Sequence, residues 1–302
     1  MRWFRAKNSA IKKFGVIPPV ADPNRHGLAI VVCVRDEALY IEEWAKYHRA
    51  VGVRHFVVYD NGSVDDTCAI LRATLPPDEL TIVPWAGRLF YGEDFKLIDG
   101  QAFAYSHAIS NFGHAFRFMA FIDADEFLLP KVGLTVEEAL VATGGFPNVS
   151  LPWHMFGTSG HKLRPEGPVL LNYTMRSATP MSRLEHSTNF KCIVDPCEVI
   201  EVSVHQFKTR NFGDLTANDA GKRFTRRNRK TIAFYSNGFL QLNHYYSKSE
   251  QEMALKMARG SNYIFSADKL QQKMLTTLRN IELETVEDTS MIDFIKEQSI
   301  RI

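Results

Sequence analysis

"LAIVVCV" (residues 28–34), "RDEALYIEEWAKYHRAVG" (35–52) and "VRHFVVYD" (53–60) decide the fold. The first is a short continuous apolar run, the pattern of a strand covered on both faces. The second places Leu39, Trp44, Tyr47 and Val51 at helical spacing and stops at Gly52. The third reads as the next strand, and "NGSVDDTCAILRATL" turns out of it into a second helix, with Ser63 and Asp66 at capping-box spacing. "ELTIVPW" (79–85) predicts a third strand, "DGQAFAYSHAISNFG" (99–113) a third helix, and the apolar run into "FIDADEF" (121–127) a fourth strand. Strands and helices in this alternation make an α/β fold, a parallel sheet wrapped by helices.

The second half is organised differently. A short helix spans 135–145, with Thr135 and Glu138 at capping-box positions. "NVSLPWHMFG" (148–157), "PVLLNYTMRS" (168–177), "FKCIVDP" (190–196), "EVIEVSVHQF" (198–207) and "FLQLNHYY" (239–246) are strand-like, and "SKSEQEMALKMARG" (247–260) predicts a helix. The expected organisation is a basic N-terminal segment (1–27), a main α/β domain (28–265) and a helical extension (266–302) packed on the outside.

Composition narrows the class. Of 302 residues 45% are hydrophobic and 23% charged, as in ordinary globular proteins, and the formal charge of +2 points to neither nucleic acid nor membrane. Cys33, Cys68, Cys192 and Cys197 show no metal-binding or disulfide spacing. With no long apolar stretch, a cytoplasmic location is expected. Charge is uneven, however. The basic, aromatic N-terminus reads as either a membrane-surface amphipathic helix or a disordered leader, and "KRFTRRNRK" (222–230), six basic residues in nine, as either a solvated loop or an anion-attracting surface. Peripheral contact with the inner face of a membrane through these segments is one expectation.

In open α/β sheets ligands bind outside the carboxyl ends of the strands, at a topological switch point. "RDE", "DNGS" and "DADE" follow the first, second and fourth strands and should face one crevice. In an extended chain Asp123 and Asp125 share a face and Glu126 takes the other. One or two carboxylates with phosphate and water suit Mg2+ or Mn2+. Asp60 can accept from a ribose or base, beside the tight turn of Asn61-Gly62, or cap the next helix with Ser63; Arg35 can meet phosphate. Asp36 and Glu37 suit the first turn of a helix.

"VCVRDEALYIEEWAKYHRAVGVRHFVVYDNGSVDDT", "FIDADEF", "WHMFGTSGH", "KCIVDP" and "NHYYSKSEQEMALKMARG" together resemble the GT-A glycosyltransferases of family 92 and similar family-2-like enzymes. The likeness covers residues 28 to 265 in five ordered blocks. It implies a GT-A (Rossmann-like) fold and transfer from a nucleotide sugar, UDP-linked, to a glycan or lipid-linked glycan in bacterial surface polysaccharide or lipopolysaccharide assembly. Asp123 and Asp125 resemble the metal motif, His244 the C-terminal histidine that approaches the same metal, Asp60 the nucleoside-binding aspartate, and Lys191 a diphosphate or acceptor contact. Cys192 and Asp195 depart from the family pattern of a small hydroxyl and a basic residue. The acceptor wall would include Trp153, Gly157 and His161 of "WHMFGTSGH". Inversion requires a carboxylate base within reach of the acceptor hydroxyl. Glu185 ranks first by position, then Asp195, with Glu166 and Asp214 as further choices. A nucleotidyltransferase and a non-catalytic glycan-binding scaffold are the rival classes; the first is disfavoured by the lack of a Gly-rich, lysine-containing phosphate loop.

Overall fold

A computed structural model describes residues 10–185, 187–259 and 267–302. Its centre follows the expected alternation: β1 (Leu28–Val34), α1 (Ile41–Ala50), β2 (Val53–Asp60), α2 (Thr67–Thr74), β3 (Leu80–Pro84), α3 (Gly100–Phe112) and β4 (Phe118–Phe121). Then come β5 (Glu126–Pro130), α4 (Val136–Ala142), β6 (Asn148–Phe156), β7 (Phe190–Val194) and β8 (Leu240–Tyr245). Helices α5 (Glu250–Arg259), α6 (Ala267–Glu282) and α7 (Ser290–Glu297) close the chain.

Across the main sheet the order is β3-β2-β1-β4-β7-β6, extended by the short strands Thr216–Ala217 and Arg223–Phe224. The first four run parallel, whereas β7 is antiparallel to both neighbours. Because side chains alternate along a strand, β1 feeds two cores at once. Leu28, Ile30, Val32 and Val34 pack with Trp44 of α1 and Leu71 of α2, while Ala29 and Val31 pack with Tyr105 of α3 on the other face.

Strand β5 is tied on one edge to β8, which also runs parallel beside β6. Its other edge is met by α1 side chains: Trp44 Nε1 donates to Glu126 O (3.0 Å), Tyr47 Oη to Leu128 O (2.9 Å), and Leu128 N–H donates to His48 Nε2 (3.3 Å). Three residues of one helical face thus satisfy backbone groups that would otherwise be buried unpaired. Leu39, expected on that face, is instead exposed ahead of the helix.

Three further expectations change. Residues 169–172 of "PVLLNYTMRS" form one helical turn, whose Val169 and Leu170 N–H groups are both accepted by Glu43 at 2.8 Å. Part of the N-terminal segment lies outside the described residues, but Phe14–Gly15 is a strand paired with Val202 and Glu201, and Ile11 bridges Ile98. That part is neither helix nor free leader. Helix α6 does not pack wholly outside, since Leu270, Lys273 and Met274 line the central cleft.

Candidate active site

The strand order reverses between β1 and β4, and a cleft of about 680 Å³ opens at the carboxyl ends there. Arg35 follows β1, Asn61 and Gly62 follow β2, Trp85 and Arg88 follow β3, Gln101 begins α3 and Asp123 follows β4. Tyr246, Lys256 and Lys273 line it from the C-terminal part. The turn after β2 needs its glycine: Gly62 has φ +75°, and a Cβ there would lie 3.1 Å from that of Ala86.

The extended reading of "DADE" gives way to a turn. Glu126 N–H donates to Asp123 O (3.1 Å), and Asp123 N–H donates to Glu126 Oε2 (2.8 Å). Glu126 therefore folds back among the other carboxylates instead of pointing away. Protein cations compensate all three. Lys191 Nζ lies 2.7 Å from Asp123 Oδ2 and 3.7 Å from Glu126 Oε2. Lys256 Nζ lies 2.7 Å from Asp125 Oδ2, and His244 Nε2 lies 3.3 Å from Asp125 Oδ1. The second Asp123 oxygen accepts from Gln101 Nε2 at 2.7 Å.

These pairings split the carboxyl groups. Burial pushes Asp123 and Asp125 up, but Lys191 beside the first, and Lys256 with His244 beside the second, outweigh it and hold both below the usual carboxylate range. Glu126 is fully buried, and burial wins there, raising its carboxyl well above the ordinary value. Burial opposes the charge of Lys191, yet Asp123 and Glu126 together raise it.

The predicted residues do not all meet. Arg35, Asn61 and Asp123 line the cleft, with Asp125 and His244 behind Lys256. Lys191, expected to touch ligand, is 1% exposed and serves as an internal counter-ion. Asp60 accepts the Ser63 N–H (2.9 Å), holding the turn that its neighbour Asn61 presents to the cleft. Asp195 sits beyond the far end of β7 from Lys191, clamped by two hydrogen bonds from Arg25 (2.5 and 2.8 Å). Glu185 is on an exposed loop, its carbonyl accepting from Asn280. Neither expected base reaches the cleft, whose lining carboxylates are Glu37, Asp99 and Asp123. The acceptor trio is likewise separated. Trp153 stands edge-on to His244 at 4.6 Å, Gly157 faces Ile281 of α6, and His161 packs on Tyr173 while its Nε2 meets Asn172 O.

A metal fit can be judged from the donors. Among the described residues no three His, Cys, Asp or Glu side chains form a metal cage, so Asp123 does not join Asp125 and His244 in one. Asp125 Oδ1 and His244 Nε2, at 3.3 Å, match two adjacent corners of an octahedral shell, where bonds of 2.0–2.1 Å put neighbouring donors about 3 Å apart. An ion of this kind commonly takes few protein ligands and completes its shell with phosphate and water. The pair therefore fits, and a carboxyl behind the ring supports it: His244 Nδ1 faces Glu126 Oε1 at 3.8 Å.

Sequence reading missed Gln101, Lys248 and Lys256. The last had a signal: it lies three residues after the buried Met253, hence on the inner face of α5. Lys248 had none, because its φ of +53° and its place over the Tyr40 ring (4.1 Å) arise from tertiary packing.

The family profile "Glycosyltransferase family 92" matches residues 29–289. A family 92 protein of Ricinus communis is 25% identical over 170 residues, 54% of this chain and 29% of the relative. One from Oryza sativa subsp. japonica is 26% identical over 162 residues, 51% and 26% of the two chains. The chain thus spans under a third of these relatives' lengths. Among solved structures, a Pyrobaculum calidifontis mannosyltransferase in complex with GDP-Man and Mn2+ is 27% identical, covering 45% of this chain and 37% of that one at a TM-score of 0.30. Staphylococcus aureus TarS 1-349 is 15% identical, covering 84% and 71% at 0.33.

Proposed function

The chain belongs to glycosyltransferase family 92, and from this we propose that it transfers a sugar from a nucleotide-diphosphate donor, UDP-linked, to a glycan or lipid-linked glycan acceptor, with inversion. The observation that carries the reading is the Asp125–His244 pair beside a cleft at the switch point of the sheet. The relatives are plant proteins, which favours a glycan acceptor in general over a bacterial surface polysaccharide.

Asp125 and His244 would hold the metal, Mn2+ or Mg2+, which supplies positive charge against the departing diphosphate. The remaining tasks fall to the chain. Asn61 and Trp85 border the end of the cleft suited to the nucleoside, where the indole offers a flat face and its Nε1 is already committed to Gly100 O (2.8 Å). Arg35 and Arg88 bring cations toward the diphosphate. Asp123, fixed by Gln101 and Lys191, faces the cleft as an acceptor for a donor hydroxyl or a coordinated water. With Glu185 and Asp195 remote and Asp123 held low by Lys191, Glu37 is the cleft carboxylate that takes the acceptor proton.

The test is thermal. UDP with Mn2+ should raise the melting temperature, Asp125→Ala should abolish the rise, and a nucleotide-sugar screen should find metal-dependent donor hydrolysis. No response to UDP with any divalent metal would defeat the donor assignment, and binding without hydrolysis would favour a glycan-binding scaffold.

A further inference from the structure

Lys256 occupies an unusual place for a lysine on a helix that continues from a site strand. Its Nζ contacts Asp125 Oδ2 at 2.7 Å, donates to Tyr246 O at 2.9 Å and stands 4.6 Å above the Tyr246 ring, yet the side chain also lines the cleft. The helix beneath it is firmly anchored. Glu252 accepts from Tyr40 Oη (2.6 Å), Tyr173 Oη (2.5 Å) and Ser249 Oγ (2.5 Å), so the movable part is the four-carbon stem of the lysine.

We infer that Lys256 is a built-in counter-ion that neutralises Asp125 before metal loading and then transfers its charge to the donor diphosphate. This rests on the metal and donor reading above. One carboxylate cannot give its full charge to an ammonium and to a divalent ion together, and the ion repels the lysine at such range. The displaced Nζ has the cleft before it and phosphate oxygens as its new acceptors. Lysine and metal thus compete, whereas lysine and diphosphate cooperate. Nucleotide, by drawing the lysine away, should tighten metal binding, and the coupling must be reciprocal.

The experiment measures Mn2+ binding alone, then UDP binding at saturating Mn2+, for wild type, Lys256→Gln and Lys256→Arg. Lys248, which also bears on Asp125, keeps a cation nearby when Lys256 is removed. The glutamine variant should bind Mn2+ alone roughly tenfold tighter and UDP roughly tenfold more weakly, with the arginine variant close to wild type. A purely structural lysine would weaken both ligands together, and that result, or unchanged Mn2+ affinity, overturns the inference. Melting of metal-free Lys256→Gln with and without Mn2+ shows separately that the variant is folded. If wild type itself shows no Mn2+-dependent UDP binding, the donor reading fails instead.

Discussion

At the scale of single residues, the site is held by charge pairs that run from the cleft wall into the buried interior. Lys191 is the clearest case. Lys191 is itself buried while its partner Asp123 is 34% exposed and can be hydrated, so Lys191→Met should lower stability in urea unfolding by less than the about 3–5 kcal/mol of a fully buried pair. Asp195→Asn and Glu185→Gln should keep donor hydrolysis within about twofold of wild type, because neither carboxylate lies at the cleft. That Asp123, Asp125 and His244 lie near one end of the sheet was legible from strand ends and family likeness, but the turn that sets Asp123 apart from the Asp125–His244 pair was not. Nor were their partners. The sequence shows Lys191 and Lys256 as charges, and only the folded chain shows which carboxylates they face.

At the scale of elements, the central strands were legible because an apolar run buried on two faces has few other readings. The turn at 169–172 was not, because its first N–H groups, which have no partner within the turn, are accepted by Glu43 from a distant helix. Strand β5 depends on α1 in the same long-range way. Tyr47→Phe would leave Leu128 O without its donor, at a cost of about 1–3 kcal/mol by denaturant titration. His48 makes the same contact sensitive to acid. Burial pulls its pKa down to about 3, while an unfolded histidine titrates near 6.5. The unfolded chain therefore binds the extra proton between these values, and the contribution of His48 to stability is present above about 6.5 and lost as pH falls toward 3. The stability difference between wild type and His48→Asn should accordingly shrink across that window.

At the scale of the whole molecule, titration sums these effects. His154 and His205 are also pulled down to about 3, chiefly by burial, so each adds to the acid-side loss with a slope near 1.4 kcal/mol per pH unit. Asp123 and Asp125, held low, add theirs as pH falls through their folded values. Glu126 works in the opposite sense, its contribution being present at low pH and lost as pH rises through its raised value. Stability measured from neutral pH downward should therefore fall steeply below about 6.5, with the midpoint of acid unfolding moved upward when Lys191 is removed. The pairing of Lys256 with Asp125 spans 131 positions of sequence, and β8, which carries His244, closes the edge of β5 only after residue 240. Loop closure over such lengths is slow, and a chain made from its N-terminus exposes "DADE" long before either partner exists. During synthesis the acidic turn is then a hydrated, open strand end, and the arrival of β8 and α5 completes both the sheet edge and the charge balance in one late step.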